Sequence, residues 1–303
     1  MIKRSFLLSF FLPLSLMAQQ PDYTYWNQLV NWDGVTPWQN YLSMSPAFMG
    51  PHALANPPLF NDGLGERPSV SMWAPYAFGQ GDQSLSAFFK VYIPFDQGRI
   101  ATELWYNPVE RYRTTAAVRD ERKARDFEAE GWAAGDVHVR TTVLLWKEKA
   151  RRPYAMVSAY LKTASGTDLA NARYTDTPGY AFELHTGKRI ALADPHTFLR
   201  LYGKGGFFAW QTHDDTFLQN DAITYGVGLG LTRSSWKLDA SLDGYIGYLD
   251  NGDRPFIGQI EGSHSGKSVE LFARYRHGIR DFPYQIFTLG FRIPLSFTTS
   301  TSP

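Results

Sequence analysis

The sequence predicts an all-β chain: a transmembrane, antiparallel up-and-down β-barrel of about twelve strands behind an irregular N-terminal segment. Three observations carry that expectation. From Ser69 onward apolar and polar residues alternate with a period of two, as in a strand whose faces meet different surroundings. Several of these runs are about 10–13 residues long, against about 5–6 in soluble sheets and about 9–11 for a tilted strand crossing a bilayer. After residue 18 no stretch of about 20 apolar residues appears, so no helix is expected to cross.

The elements follow in order. Met1–Ala18 reads as a secretory signal peptide, with Lys3 and Arg4 ahead of the apolar run Ser5–Leu16 and small Ala18 at the cut. Export and removal of that leader would put the mature chain in a bacterial outer membrane. Residues 19–68 form a segment apart, lying in the periplasm or folded into the lumen as a plug. Trp26, Trp32 and Trp38 recur there every six residues, and a short helix is expected near Trp26–Val30. Pro46, Pro51, Pro57 and Pro58 then interrupt any regular element.

Residues 69–297 are the barrel and 298–303 a tail. The expected strands are Ser69–Phe78, Leu85–Phe95, Arg99–Asn107, Asp136–Lys147, Tyr154–Thr163, Gly179–Ile190, Thr197–Gln211, Ala222–Arg233, Trp236–Tyr248, Phe256–Gly262, Ser268–Arg276 and Tyr284–Phe297. Short connections such as Asp96–Gly98 and Ser234-Ser235 alternate with longer ones such as Pro108–Gly135 and Ala164–Pro178. Short periplasmic turns and long outer loops are the rule for such barrels, and an even strand count puts both termini in the periplasm. Tyr76, Tyr106, Tyr180, Tyr225 and Tyr248 would form the outer aromatic girdle, with Phe95 and Phe297 at the inner one. In the last strand Phe287, Leu289, Phe291, Ile293, Leu295 and Phe297 share one face, which resembles the C-terminal strand signal of outer-membrane proteins. Glycine is frequent at 26 residues, aromatics make up 16%, and cysteine is absent, as suits an oxidising periplasm.

Charged strand residues are expected to face inward, because Arg or Lys against lipid costs about 2–4 kcal/mol at the midplane. The candidate lumen-lining residues are Lys90, Arg99, Glu103, Arg140, Lys162, Glu183, Arg200, Lys237, Asp239, Asp243, Glu270, Arg274 and Arg292. They form either a selective polar path, leaning towards anions, or a paired network that fills a narrow barrel. The whole chain has 30 basic and 29 acidic residues, so no basic surplus points to nucleic acid.

Other chemistry finds little footing. His138 and His185 sit mid-strand on inward faces, and no hydrolase-like His-x-Ser-Asn stretch accompanies them. His213-Asp214-Asp215 and Asp250-Asn251-Gly252-Asp253 lack the spacing of a Ca²⁺ loop. Gly226, Gly228 and Gly230 are spaced by two, wrong for a dinucleotide fingerprint and suited to an inner wall. Thr114–Glu130, dense in charge, is read as a solvated cap in preference to an infolded constriction. Neither an enzyme nor a cofactor or metal is expected.

Leu161-Lys162-Thr163-Ala164-Ser165-Gly166, together with Gly135-Asp136, resembles outer-membrane channels of the phenol-degradation meta-pathway type. Those tend to carry Leu-Lys-x-Pro-Thr-Gly at the end of a strand, where this chain has Ala-Ser in place of Pro-Thr. The resemblance spans roughly residues 136–297 and implies a barrel that passes aromatic or other small hydrophobic compounds. The sequence thus points to a monomeric channel for a small solute, or to a plugged barrel serving an envelope complex. Outer-membrane lipid and the barrel-assembly machinery are its expected partners.

Overall fold

The computed structural model describes residues 22–295. The signal peptide, Phe297 and the tail lie outside them. The described residues begin with helix α1 (Thr24–Val30) and a long irregular arm, then enter strands β1 (Ser69–Gly79), β2 (Asp82–Phe95) and β3 (Ile100–Thr114). Helix α2 (Ala116–Glu121) and the short strand β4 (Glu130–Ala133) follow. Nine more strands complete the chain: β5 (Val137–Trp146), β6 (Tyr154–Lys162), β7 (Gly179–Ala191), β8 (Thr197–Gln211), β9 (Gln219–Arg233), β10 (Trp236–Gly247), β11 (Phe256–Ser265), β12 (Glu270–Arg280) and β13 (Gln285–Pro294).

Every neighbouring pair is antiparallel, and β1 pairs with both β2 and β13, which shuts the sheet into a ring. β4 stands outside the ring on the upper part of β3. Closure leaves no unpaired strand edge facing hydrocarbon, where each open N–H or C=O would cost several kcal/mol. The outer face is apolar around the ring: Phe182, Val227 and Leu289 are 59%, 63% and 70% exposed. Such a belt is unfavourable in water and favourable in lipid.

Several strands exceed their expected bounds, β3 and β12 furthest. β3 continues through Pro108 to Thr114 because the proline falls in a register shift, where Ala87 pairs with Val109 and Phe89 with Tyr106. A bulge asks for no N–H at that point, so the missing donor costs nothing. β12 likewise runs on to Arg280. The connections define two mouths. The β2–β3, β5–β6, β7–β8, β9–β10 and β11–β12 turns share one, the short-turn mouth; the segments after β3, β6 and β8 share the long-loop mouth. That mouth also holds a tight turn, Gln80-Gly81 between β1 and β2.

The glycines of β9 are seats for larger neighbours. Gly228 pairs with Tyr202, and a Cβ at Gly228 would lie 2.3 Å from the tyrosine ring. Gly228→Ala is therefore expected to cost about 1–3 kcal/mol through overpacking. The measurement is the temperature at which the folded band on a gel converts to the unfolded one. Gly262→Ala, with open space at its Cβ, should leave that temperature unchanged.

Candidate functional site

The lumen is the only part of a narrow barrel that can select what passes, and here it has two unlike halves. Towards the long-loop mouth the inward residues are aromatic. Phe88, Trp105, Tyr160, Phe208, Trp210 and Tyr245 are buried there, packed on Leu42, Met44, Met49 and Leu54 of the arm. His138 stacks against Trp105 with ring centroids 5.0 Å apart, and bonds Tyr160 at 2.8 Å. This half has no ladder in which an irregular arm could place its carbonyls, so the wall supplies donors. Trp210 Nε1 donates to Met44 O at 3.3 Å, Tyr245 to Leu54 O at 2.9 Å, and Arg140 to Pro58 O at 2.6 Å. Lys204 donates to Pro57 O, and Asn56 to Asp243.

The long-loop mouth is locked by a buried ion network. Arg173 is fully buried, 2.6 Å from both Asp82 and Glu110. Arg122 reaches Asp82 at 2.7 Å and the Tyr284 hydroxyl at 2.8 Å, and that hydroxyl lies 3.0 Å from Met49 O. Burial, and then Glu110 beside it, push the Tyr174 hydroxyl well above the usual range, so it stays a donor to Glu110 at 2.9 Å. Residues 114–130, expected to be a solvated cap, instead bury Val118, Arg119, Arg122 and Ala124. Two sets of contacts hold them: α1, whose Trp26 donates to Lys123 O at 2.8 Å and whose Tyr25 hydroxyl accepts from Arg119 at 3.0 Å, and the barrel wall, whose Asp82 binds Arg122.

Towards the short-turn mouth a cavity of about 440 Å³ remains between the arm and strands β10–β13, with β1–β3 closing its far side. Lys90, Glu103, Arg140, Lys237, Asp239, Asp243, Glu270, Arg274 and Arg292 all line it. Most are paired: Glu103 sits between Lys90 (2.8 Å) and Arg140 (2.6 Å), Arg274 meets Glu261 at 2.5 Å, and Arg292 meets Glu270 at 3.4 Å. Glu183 pairs with Lys204 at 2.8 Å behind the arm, and Arg200 bridges Glu148 and the arm's Asp62 at 3.3 and 3.1 Å. Lys162 lies higher up, buried against Asp136 at 2.9 Å. Gly166 N donates to the same carboxylate at 2.8 Å, so Asp136, Lys162 and Gly166, from the two motif stretches, meet in one place.

Arg99 is the exception. It falls in the β2–β3 turn, 63% exposed and 3.9 Å from Asp96, because β3 starts one residue later. Arg276 was missed as a lining residue although it continues the alternation of Glu270 and Arg274. Its Nε is buried without a hydrogen-bond partner, and neither it nor Lys237 has a carboxylate within 4.0 Å among the described residues. Ser158 Oγ lies 2.9 Å from His185 Nε2 under Phe60. Glu183 is 3.6 Å from that same nitrogen, while Nδ1 has no partner, so no third group orients the imidazole as a hydrolase triad needs.

The closed twelve-stranded ring, its apolar outer belt and its polar lower lumen make this a bacterial outer-membrane β-barrel. An outer membrane channel of Pseudomonas putida F1 has a similar fold, with a TM-score of 0.57 over 80% of this chain and all of that one, at 9% identity. The KdgM porin (TM-score 0.44, 9% identity) covers 75% of this chain and 99% of its own. The β domain of the Bordetella autotransporter BrkA (0.48, 14%) covers 76% and 99%. No family model matches the sequence, and no curated protein does.

Proposed function

We propose that the protein is a gated outer-membrane channel for a small polar solute, held shut by its own N-terminal arm. The carrying observation is the division of the lumen into an aromatic seal and a charge-lined cavity of about 440 Å³ open towards the other mouth. A barrel serving only as a structural subunit has no need of such a cavity. Lys237 and Arg276, cations on its wall with no carboxylate within 4.0 Å among the described residues, favour an anionic solute. Opening requires the arm between Met44 and Phe60 to leave the aromatic half, exchanging its wall hydrogen bonds for water.

The test is conductance in planar bilayers. The wild-type protein should be closed for most of the record. A variant with residues 44–60 replaced by an equally long Gly/Ser segment should conduct steadily and prefer anions. Adding Lys237→Gln and Arg276→Gln should weaken that preference. Silence from the Gly/Ser variant, once its gel shift on heating shows a folded barrel, would discard the channel in favour of a plugged accessory barrel.

A further inference from the structure

The arm does more than fill the lumen: it runs from one mouth to the other. β3 starts at the short-turn mouth, where Ile100 pairs with Phe95, and ends at the opposite one, where Thr114 pairs with Asp82. The segment after it, with α2, therefore belongs to the long-loop mouth. Helix α1 is seated on that segment. Trp26 bonds Lys123 O, the Tyr25 ring meets Phe127 edge-on at 5.4 Å, and the Arg125 guanidinium lies 3.9 Å from the centre of the Tyr23 ring.

From there the contacts descend in sequence order. Ser45 Oγ donates to Asn251 O in the β10–β11 loop, and Gly50 N to Ala172 O in the β6–β7 loop. Leu54 then meets Tyr245, Asn56 meets Asp243, and Pro58 meets Arg140. Asp62 reaches Arg200, Glu66 lies 3.9 Å from Lys147 in the β5–β6 turn, and Pro68 O accepts from Leu295 N. Both ends of the barrel sheet thus share the short-turn mouth, but the chain ahead of it does not. Among the described residues, α1 therefore sits at the mouth opposite the ends of the sheet.

In barrels of this kind short turns face the periplasm and long loops the exterior. We infer that the barrel carries its own N-terminal arm outward through its pore, so that α1 is displayed on the cell surface. The display surface is α1 docked on residues 115–135. This inference does not rest on the channel reading, since a barrel that never conducts ions can still be threaded.

The absence of cysteine from the sequence makes the test direct. Single-cysteine variants of the full chain are labelled in intact cells with a maleimide that cannot cross the outer membrane. Asp215→Cys, in the β8–β9 loop, reports the exterior, and Gln97→Cys, in the β2–β3 turn, reports the periplasm. Asp22→Cys, at an exposed position, should label in intact cells as fully as Asp215→Cys, while Gln97→Cys labels only after the membrane is opened. Gln28→Cys, exposed on α1, repeats the measurement should the first variant assemble poorly. Protection of both arm cysteines until permeabilisation, with Asp215→Cys labelled throughout, overturns the threading. Labelling of Gln97→Cys in intact cells overturns the orientation and with it the display.

Discussion

Replacing Arg173 with methionine is expected to destabilise the long-loop mouth by about 3–5 kcal/mol, the usual result of stripping one partner from buried charges. Arg173 is fully buried, donating through Nε and Nη2 to Glu110 at 2.9 and 2.6 Å and through Nη1 to Asp82 at 2.6 Å. Without it Glu110 keeps only the hydroxyls of Ser86 and Tyr174, at 3.0 and 2.9 Å. The arm feels the change directly, because a Cβ at Gly50 would lie 2.7 Å from Arg173 O; the two backbones are in contact. Arg173→Met should lower the temperature of the gel-band conversion and lengthen the open periods in a bilayer. Arg113→Met, exposed on the same mouth, should move neither by more than about 0.5 kcal/mol equivalent. An unchanged Arg173→Met protein would show that the network does not hold the mouth together.

The second large effect lies at Lys162. Its ammonium is 1% exposed and lies 2.9 Å from Asp136, 2.6 Å from Thr175 Oγ1 and 2.7 Å from Thr177 O. Lys162→Met leaves Asp136 buried with no cation beside it and backbone amides such as Gly166 N alone, at a cost of about 3–5 kcal/mol. Adding Asp136→Asn removes the stranded charge and keeps an oxygen for Gly166, so the double variant should regain most of the loss. A double-mutant cycle on thermal conversion measures the coupling. Strict additivity of the two single changes would mean that the ion pair contributes nothing.

Much of the barrel was legible because a strand between lipid and lumen writes its two faces into alternate residues. In β7, Phe182 and Leu184 point out, while Ala181, Glu183 and His185 point in. The end of β3 was illegible because Pro108 argues against a strand unless the bulge opposite it is known. The arm was illegible for another reason. Its anchors are largely backbone carbonyls, at Met44, Leu54, Pro57 and Pro58, and a carbonyl is the same on every residue. The wall residues that hold it, Trp210 and Tyr245 among them, looked like ordinary strand aromatics. Asp82, Glu110 and Arg173 are far apart in sequence, and only closure of the ring brings them together.

The arm's lower end is continuous with β1 at Ser69, and in the proposed gated channel that linkage bears on how the barrel would close again. A stopper that belongs to the same chain cannot diffuse away, so re-sealing is a first-order event with an effective concentration set by the length of tether. In the proposed channel, the fraction of time spent open then depends on the strength of the seal and the length of the tether, and not on how many copies are present. It should be the same in a membrane holding one copy as in one crowded with them, and dilution should not unplug it.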